Sequence, residues 1–201
     1  MVYTVVVTVR GGVKPPLHAG IAAETHSACP PLLPGVSAYF VTICAKNRRK
    51  LFDSKLVVDS LLALLRELTP RFHFDLYAFC FMPDHCHFLL EGKTPNAELP
   101  DMIRAFKGRS TVIFRKFEIQ DAWQKGFYEH ILRTSEDHAS VTAYIYENPV
   151  RAGLAKDIFS WPFSGSFVID WSKFSAPVQI FVPLYKSSSH GTQRRVGAEQ
   201  G

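Results

Sequence analysis

Two histidines one residue apart, His85 and His87, sit at the centre of the run Phe79-Cys80-Phe81-Met82-Pro83-Asp84-His85-Cys86-His87-Phe88-Leu89-Leu90-Glu91-Gly92. The flanks are apolar and aromatic, the composition of a strand buried on at least one face. Alternate residues of a strand point the same way, so both imidazoles share a face while Cys86 and Phe88 turn to the other. Two imidazoles side by side on a rigid strand can hold one divalent cation through their ring nitrogens. A bare His-x-His also fits one edge histidine and one core histidine. The metal reading therefore needs a third ligand from elsewhere in the chain.

The segment Thr142-Ala143-Tyr144-Ile145-Tyr146-Glu147-Asn148-Pro149 offers one. Tyr144 and Asn148 are four apart and stack on one helical face. If that face meets the histidine strand, the Asn148 amide oxygen supplies the third ligand and the Tyr144 phenol stands beside the ion. This is a recipe for a covalent nucleophile attacking a phosphodiester. A tyrosine that merely packs helix on sheet is the alternative. Tyr146 points off that face and Tyr128 lies in another element; both remain rival nucleophiles.

Around these residues the chain reads as α+β. Ser37–Cys44 is β-branched and aromatic, a first strand, and Phe72–Phe81 alternates as a second. Met82-Pro83-Asp84 makes a turn into the histidine strand. Leu56, Val57, Leu61, Leu62, Leu64, Leu65 and Leu68 space as an amphipathic helix from Asp53, ended by Thr69-Pro70. Leu99–Phe117 is a second helix, Asp121–Arg133 a loop running into a strand, and the stretch ending at Pro149 a third helix. The order strand, helix, strand, strand, helix, strand, helix predicts a ferredoxin-like plait: a four-stranded antiparallel sheet with two helices on one face. The other face is left for a ligand or an added helix.

With 201 residues, 47% of them hydrophobic, the chain suits one domain of ordinary size. Residues 1–36, broken by Gly11-Gly12, Pro15-Pro16, Pro30-Pro31 and Pro34-Gly35, read as an irregular N-terminal extension. Residues 37–172 form the domain. Residues 173–201 are a tail, polar and disordered in composition from 187, with one further short apolar segment at Val178–Val182. No apolar run reaches the ~20 residues needed to span a bilayer, and no signal peptide is legible. The four cysteines show no Cys-x-x-Cys pairing, which points to a reducing, cytoplasmic compartment. Net charge is +5 and pI about 9.1. The positive groups cluster at Lys46, Arg48 and Arg49 after the first strand and at Arg104, Lys107 and Arg109 on the second helix. Both clusters fit phosphate contacts.

Five motifs occur in order: Tyr39-Phe40-Val41-Thr42, Met82-Pro83-Asp84-His85-Cys86-His87, Trp123-Gln124-Lys125-Gly126-Phe127-Tyr128-Glu129-His130, Tyr144-Ile145-Tyr146-Glu147-Asn148-Pro149-Val150 and Trp161-Pro162-Phe163-Ser164. Together, over roughly residues 37 to 171, they resemble the REP-associated tyrosine transposases, a branch of the HUH single-strand transposases. The resemblance implies a metal pair at His85 and His87, a tyrosine nucleophile at Tyr144, and Mg²⁺ or Mn²⁺ as cofactor. It also implies single-stranded hairpin DNA as substrate, cleaved to a 5′-phosphotyrosine and a free 3′-hydroxyl. Glu129 and His130 fall where the family carries an acid–histidine pair near the site. The implied assembly is a monomer or a homodimer. Two other readings compete: a catalytically silent module of the same fold that holds structured single-stranded nucleic acid, and a small metallohydrolase, which leaves the basic groups without a role.

Overall fold

The computed structural model describes residues 37–132 and 135–169. The expected N-terminal extension (1–36), the tail (173–201) and the segment at Val178–Val182 lie outside the described residues. The elements run β1 (Ala38–Cys44), α1 (Lys55–Arg71), β2 (Phe74–Met82), β3 (His85–Gly92), α2 (Leu99–Lys116), β4 (Tyr128–Leu132), α3 (Ser135–Arg151) and β5 (Ser164–Gly165). All pairings are antiparallel, in the order β4-β1-β3-β2-β5. The first four strands and α1 and α2 make the expected plait. The two-residue β5 adds a fifth strand beside β2, with Ser164 of the Trp161–Ser164 motif opposite Cys80.

Both sheet faces are covered, which is why β2 is buried almost throughout rather than at alternate positions. Val41, Ile43, Phe79, Phe81, Cys86, Phe88 and Leu90 face α1 and α2, whose inward rows are Val57, Val58, Leu61, Leu65, Leu68 and Met102, Ile103, Phe106, Phe114. On the opposite face Ala38, Phe40, Ala78, Cys80, Met82, Leu89 and Leu132 meet Val141, Ile145 and Tyr146 of α3. The face left open in the sequence reading is thus taken by α3.

Two prolines that read as helix stops are not. α1 continues through Pro70 to Arg71, and α3 through Pro149 to Arg151. Near a helix end a proline removes a single backbone bond, and tertiary packing outweighs that loss. Beyond Pro149 the helix closes on Gly153 (φ +70°), with Gly153 N–H donating to Val150 O and Leu154 N–H to Pro149 O. That paired closure with a left-handed glycine is a Schellman cap.

Candidate active site

β3 is the middle strand of the sheet, so its residues are the most firmly held. The hairpin before it has only Pro83 and Asp84 as its loop, with Met82 opposite His85. Pro83 O accepts the N–H groups of Leu51 and Phe52, and Asp84 O accepts that of Ala45. The loop after β1 therefore clamps the turn and fixes where the first histidine begins.

His85 and His87 project to the α3 side, and their Nε2 atoms converge to 3.1 Å. Each Nδ1 is occupied: His85 Nδ1 lies 2.6 Å from Asp84 Oδ1, and His87 Nδ1 lies 2.8 Å from Thr42 Oγ1. Thr42 pairs with His87 across β1 and β3, which is why the hydroxyl reaches it. In the tautomer that a metal requires, each Nδ1–H donates, to Asp84 and to Thr42, and both Nε2 atoms present lone pairs to one another. Two lone pairs at this distance repel unless something positive lies between them. Burial pushes the His87 imidazole well below its usual pKa, helped by the charges of His85, Arg151 and Arg48. Burial also lowers that of His85, against the Asp84 bond that raises it. Burial thus favours the neutral, metal-binding form of both rings. Two octahedral ligands at right angles with bonds of ~2.1 Å stand about 3.0 Å apart, so the pair fits a hard divalent ion. Among the described residues no cluster of three or more His, Cys, Asp or Glu side chains surrounds the pair.

Phe40 stacks on His87, centroids 5.3 Å apart and planes 23° off parallel. Tyr144 closes this stack edge-on, 5.6 Å from Phe40 and 5.9 Å from His87. The face of α3 that carries Tyr144 therefore does meet the histidine face of β3. Asn148, one turn on, donates through Nδ2 to Tyr144 O at 2.8 Å, and its Oδ1 accepts from Arg151 at 3.1 Å. Tyr128 lies edge-on to Phe40 at 6.5 Å, its hydroxyl pKa raised by burial and then by Tyr144. Tyr146 is buried against the sheet.

The sequence model of the IS200-like transposases matches residues 36–148. The chain belongs to the IS200-like transposase family. An Escherichia coli (strain K12) protein named REP-associated tyrosine transposase is 28% identical over 146 residues, 67% of this chain and 84% of that one. A Haemophilus influenzae relative with a provisional form of the same name is 28% identical over 141 residues, 63% of this chain and 77% of its own. A solved REP-associated tyrosine transposase bound to a REP hairpin superposes with a TM-score of 0.62 at 22% identity, covering 88% of this chain and all of that one; it shows the shared fold.

In this transposase the other residues singled out by sequence are more dispersed. On β4, His130 stands opposite Phe40 and so takes the α3 side, whereas Glu129 stands opposite Val41 on the α1/α2 side and is exposed. The basic residues all have partners within the chain. Lys46 pairs with Asp121 at 2.7 Å and Arg48 with Asp84 at 3.3 Å. Arg49 donates to Gln120 O and Asp121 O, and Lys107 to Gln124 O and Gly126 O. Arg104 pairs with Asp101, and Arg109 bridges α2 to α1 through Glu67. Arg48 is the one that reaches the histidines, through Asp84, whose two oxygens hold it and His85.

Sequence reasoning missed Thr42, Asp84 and Arg151. Thr42 was reachable only through strand register. Arg151 had a legible signal: it follows Tyr144 and Asn148 at the i, i+4, i+7 spacing of one helical face, hidden by taking Pro149 as the stop.

Proposed function

We propose that this transposase cleaves and rejoins single-stranded DNA at hairpin sequences, with Tyr144 as the nucleophile. The observation that carries the reading is Tyr144 packed on His87, one of two neutral imidazoles whose Nε2 atoms converge to 3.1 Å. A relative named for REP sequences, and a protein of the same fold solved on a REP hairpin, support hairpin DNA as the substrate.

Tyr144 Oη attacks phosphorus, and its O–P bond forms as the bond to the 3′-oxygen breaks. The phenolic proton passes to solvent and the 3′-oxygen takes one up, leaving a 5′-phosphotyrosine and a free 3′-hydroxyl. Attack by a second 3′-hydroxyl reverses the step and joins strands, with one phosphodiester exchanged for another. Mg²⁺ or Mn²⁺, held by His85, His87 and Asn148, would polarise the scissile phosphate and neutralise its charge. Asp84 and Thr42 orient the two rings. Phe40 and Tyr144 wall off one side of His87, and His130 borders the same face. Lys46, Arg48, Arg49 and Arg104 are exposed, and their surface ion pairs are weak enough to be exchanged for DNA phosphates. Lys107 and Arg109 are the less free members of that set.

The test mixes purified protein, Mn²⁺ and labelled single-stranded hairpin DNA from the flanks of its own gene, resolved on a denaturing gel. A covalent adduct lost in Tyr144→Phe and in His85→Ala is expected. An adduct that survives Tyr144→Phe moves the nucleophile to Tyr128 or Tyr146. A hairpin bound equally with and without metal, and never cut, makes the chain a nucleic-acid-binding module.

A further inference from the structure

We propose that Arg151 binds the phosphate that Tyr144 attacks. The proposal rests on the reading of Tyr144 as nucleophile and adds to it the group that receives the negative charge of the reacting phosphodiester.

The position of Arg151 is set by the backbone. The Schellman closure at Gly153 makes Arg151 the last residue of α3 with helical geometry. That places it two turns from Tyr144 and one from Asn148, on the same face. Its guanidinium carbon lies 4.2 Å from the centroid of the Tyr144 ring. One Nη donates to Asn148 Oδ1 at 3.1 Å. The side chain thus touches the proposed nucleophile and the proposed third ligand.

A guanidinium carries five N–H groups, and this one spends one of them on Asn148. Arg151 is exposed, and among the described residues no carboxylate pairs with it. The six cations singled out by sequence differ: Lys46, Arg48, Arg104 and Arg109 each hold an acid, while Arg49 and Lys107 hold backbone carbonyls. A phosphorus within attack range of Tyr144 Oη, about 3–3.5 Å, brings its non-bridging oxygens to the rim of the ring that Arg151 covers. The fork geometry of guanidinium matches two such oxygens. During attack those oxygens gain negative charge, so a fixed cation there acts more strongly on the transition state than on the bound DNA. Arg151 exchanges no proton in the step.

An arginine at a helix C-terminus also complements the helix dipole, and a purely structural role is the rival explanation. A structural arginine affects folding and tolerates lysine; a phosphate-binding one affects the rate of adduct formation and responds to guanidinium. The experiment measures adduct formation against hairpin concentration, with Mn²⁺, for the full chain and for Arg151→Ala, Arg151→Lys and Tyr144→Phe, after thermal unfolding shows each variant folded. Removing one such donor is expected to lower the saturating rate about 100-fold, while half-saturation changes only a few-fold. Lysine should recover part of the rate, and millimolar guanidinium should restore part of it to Arg151→Ala but none to Tyr144→Phe. A wild-type rate in Arg151→Ala overturns the proposal, as does a loss that neither lysine nor guanidinium repairs. If the unaltered chain forms no adduct, or Tyr144→Phe still does, the nucleophile assignment fails first and takes this inference with it.

Discussion

The two faces of the sheet are built by alternate residues of the same strands and bury different chemistry. On the α1/α2 side Phe52, Phe81, Phe88, Phe106 and Phe114 interlock around Trp123, and the buried polar residues are Thr69 and Ser110, both small hydroxyls. Trp123 donates its indole N–H to Ser110 at 2.8 Å, so even that polar edge is satisfied. On the α3 side the buried polar residues are His87, His138, Ser140 and Glu147, and Glu91 sits close to His138 at 3.2 Å. Fixing titratable groups in a low-dielectric layer costs stability unless each finds a partner. The aromatic face offsets that cost through apolar burial, and the polar face turns it into reactivity.

Five measurements separate the faces. Tyr144→Phe removes one oxygen from the polar face and should lower adduct formation by more than about 10³-fold, as loss of a nucleophile does, with thermal stability little changed. Phe88→Ala on the aromatic face should do the reverse, costing about 3–5 kcal/mol in urea unfolding while the protein that remains folded keeps its adduct rate. A Tyr144→Phe protein that unfolds, or a Phe88→Ala protein that is stable but inactive, breaks the division.

Thr42→Val keeps shape and removes the acceptor for His87 Nδ1–H. Mn²⁺ affinity, read by calorimetric titration, should fall about 10-fold, and an unchanged affinity would show that Thr42 does not set the tautomer. Next comes pH. His87 is held neutral in the folded chain, with its pKa depressed, so the unfolded chain takes up a proton first on acidification. Stability in EDTA should therefore fall as pH drops below the ordinary histidine value near 6.5, by at most about 1.4 kcal/mol per pH unit for each histidine. His87→Gln should flatten that slope. The smallest effect is expected at Glu147, whose Oε1 is buried without a hydrogen-bond partner among the described residues and whose pKa burial raises. Glu147→Gln should gain about 1 kcal/mol, a rise of roughly 2–4 °C in Tm; a loss of stability would mean that the carboxylate is needed.

Much of this arrangement is readable before folding, and the reasons are local. A histidine pair two apart in an apolar run is a strand face; Tyr144 and Asn148 four apart are a helix face. Both periodicities come from backbone geometry that no tertiary contact alters. Helix ends were less legible: Pro70 and Pro149 read as stops, yet each costs one backbone bond, which packing outweighs. In the basic clusters only half of the pattern was legible. Charge is visible in sequence, but Glu67, Asp101 and Asp121 as its partners are not, and Glu129 and His130, adjacent in the chain, part to opposite faces by strand alternation.

By itself, then, the sequence determined the plait, the residue types of the candidate site and which of them share an element, because propensity and periodicity are properties of short segments. Only the tertiary structure decided that α3 crosses the open face, that Tyr144 lies on His87, that Thr42 and Asp84 hold the imidazoles by Nδ1, and that Arg151 covers the tyrosine ring. Those contacts join residues far apart in the chain, and their geometry follows from strand register and from which face α3 packs against.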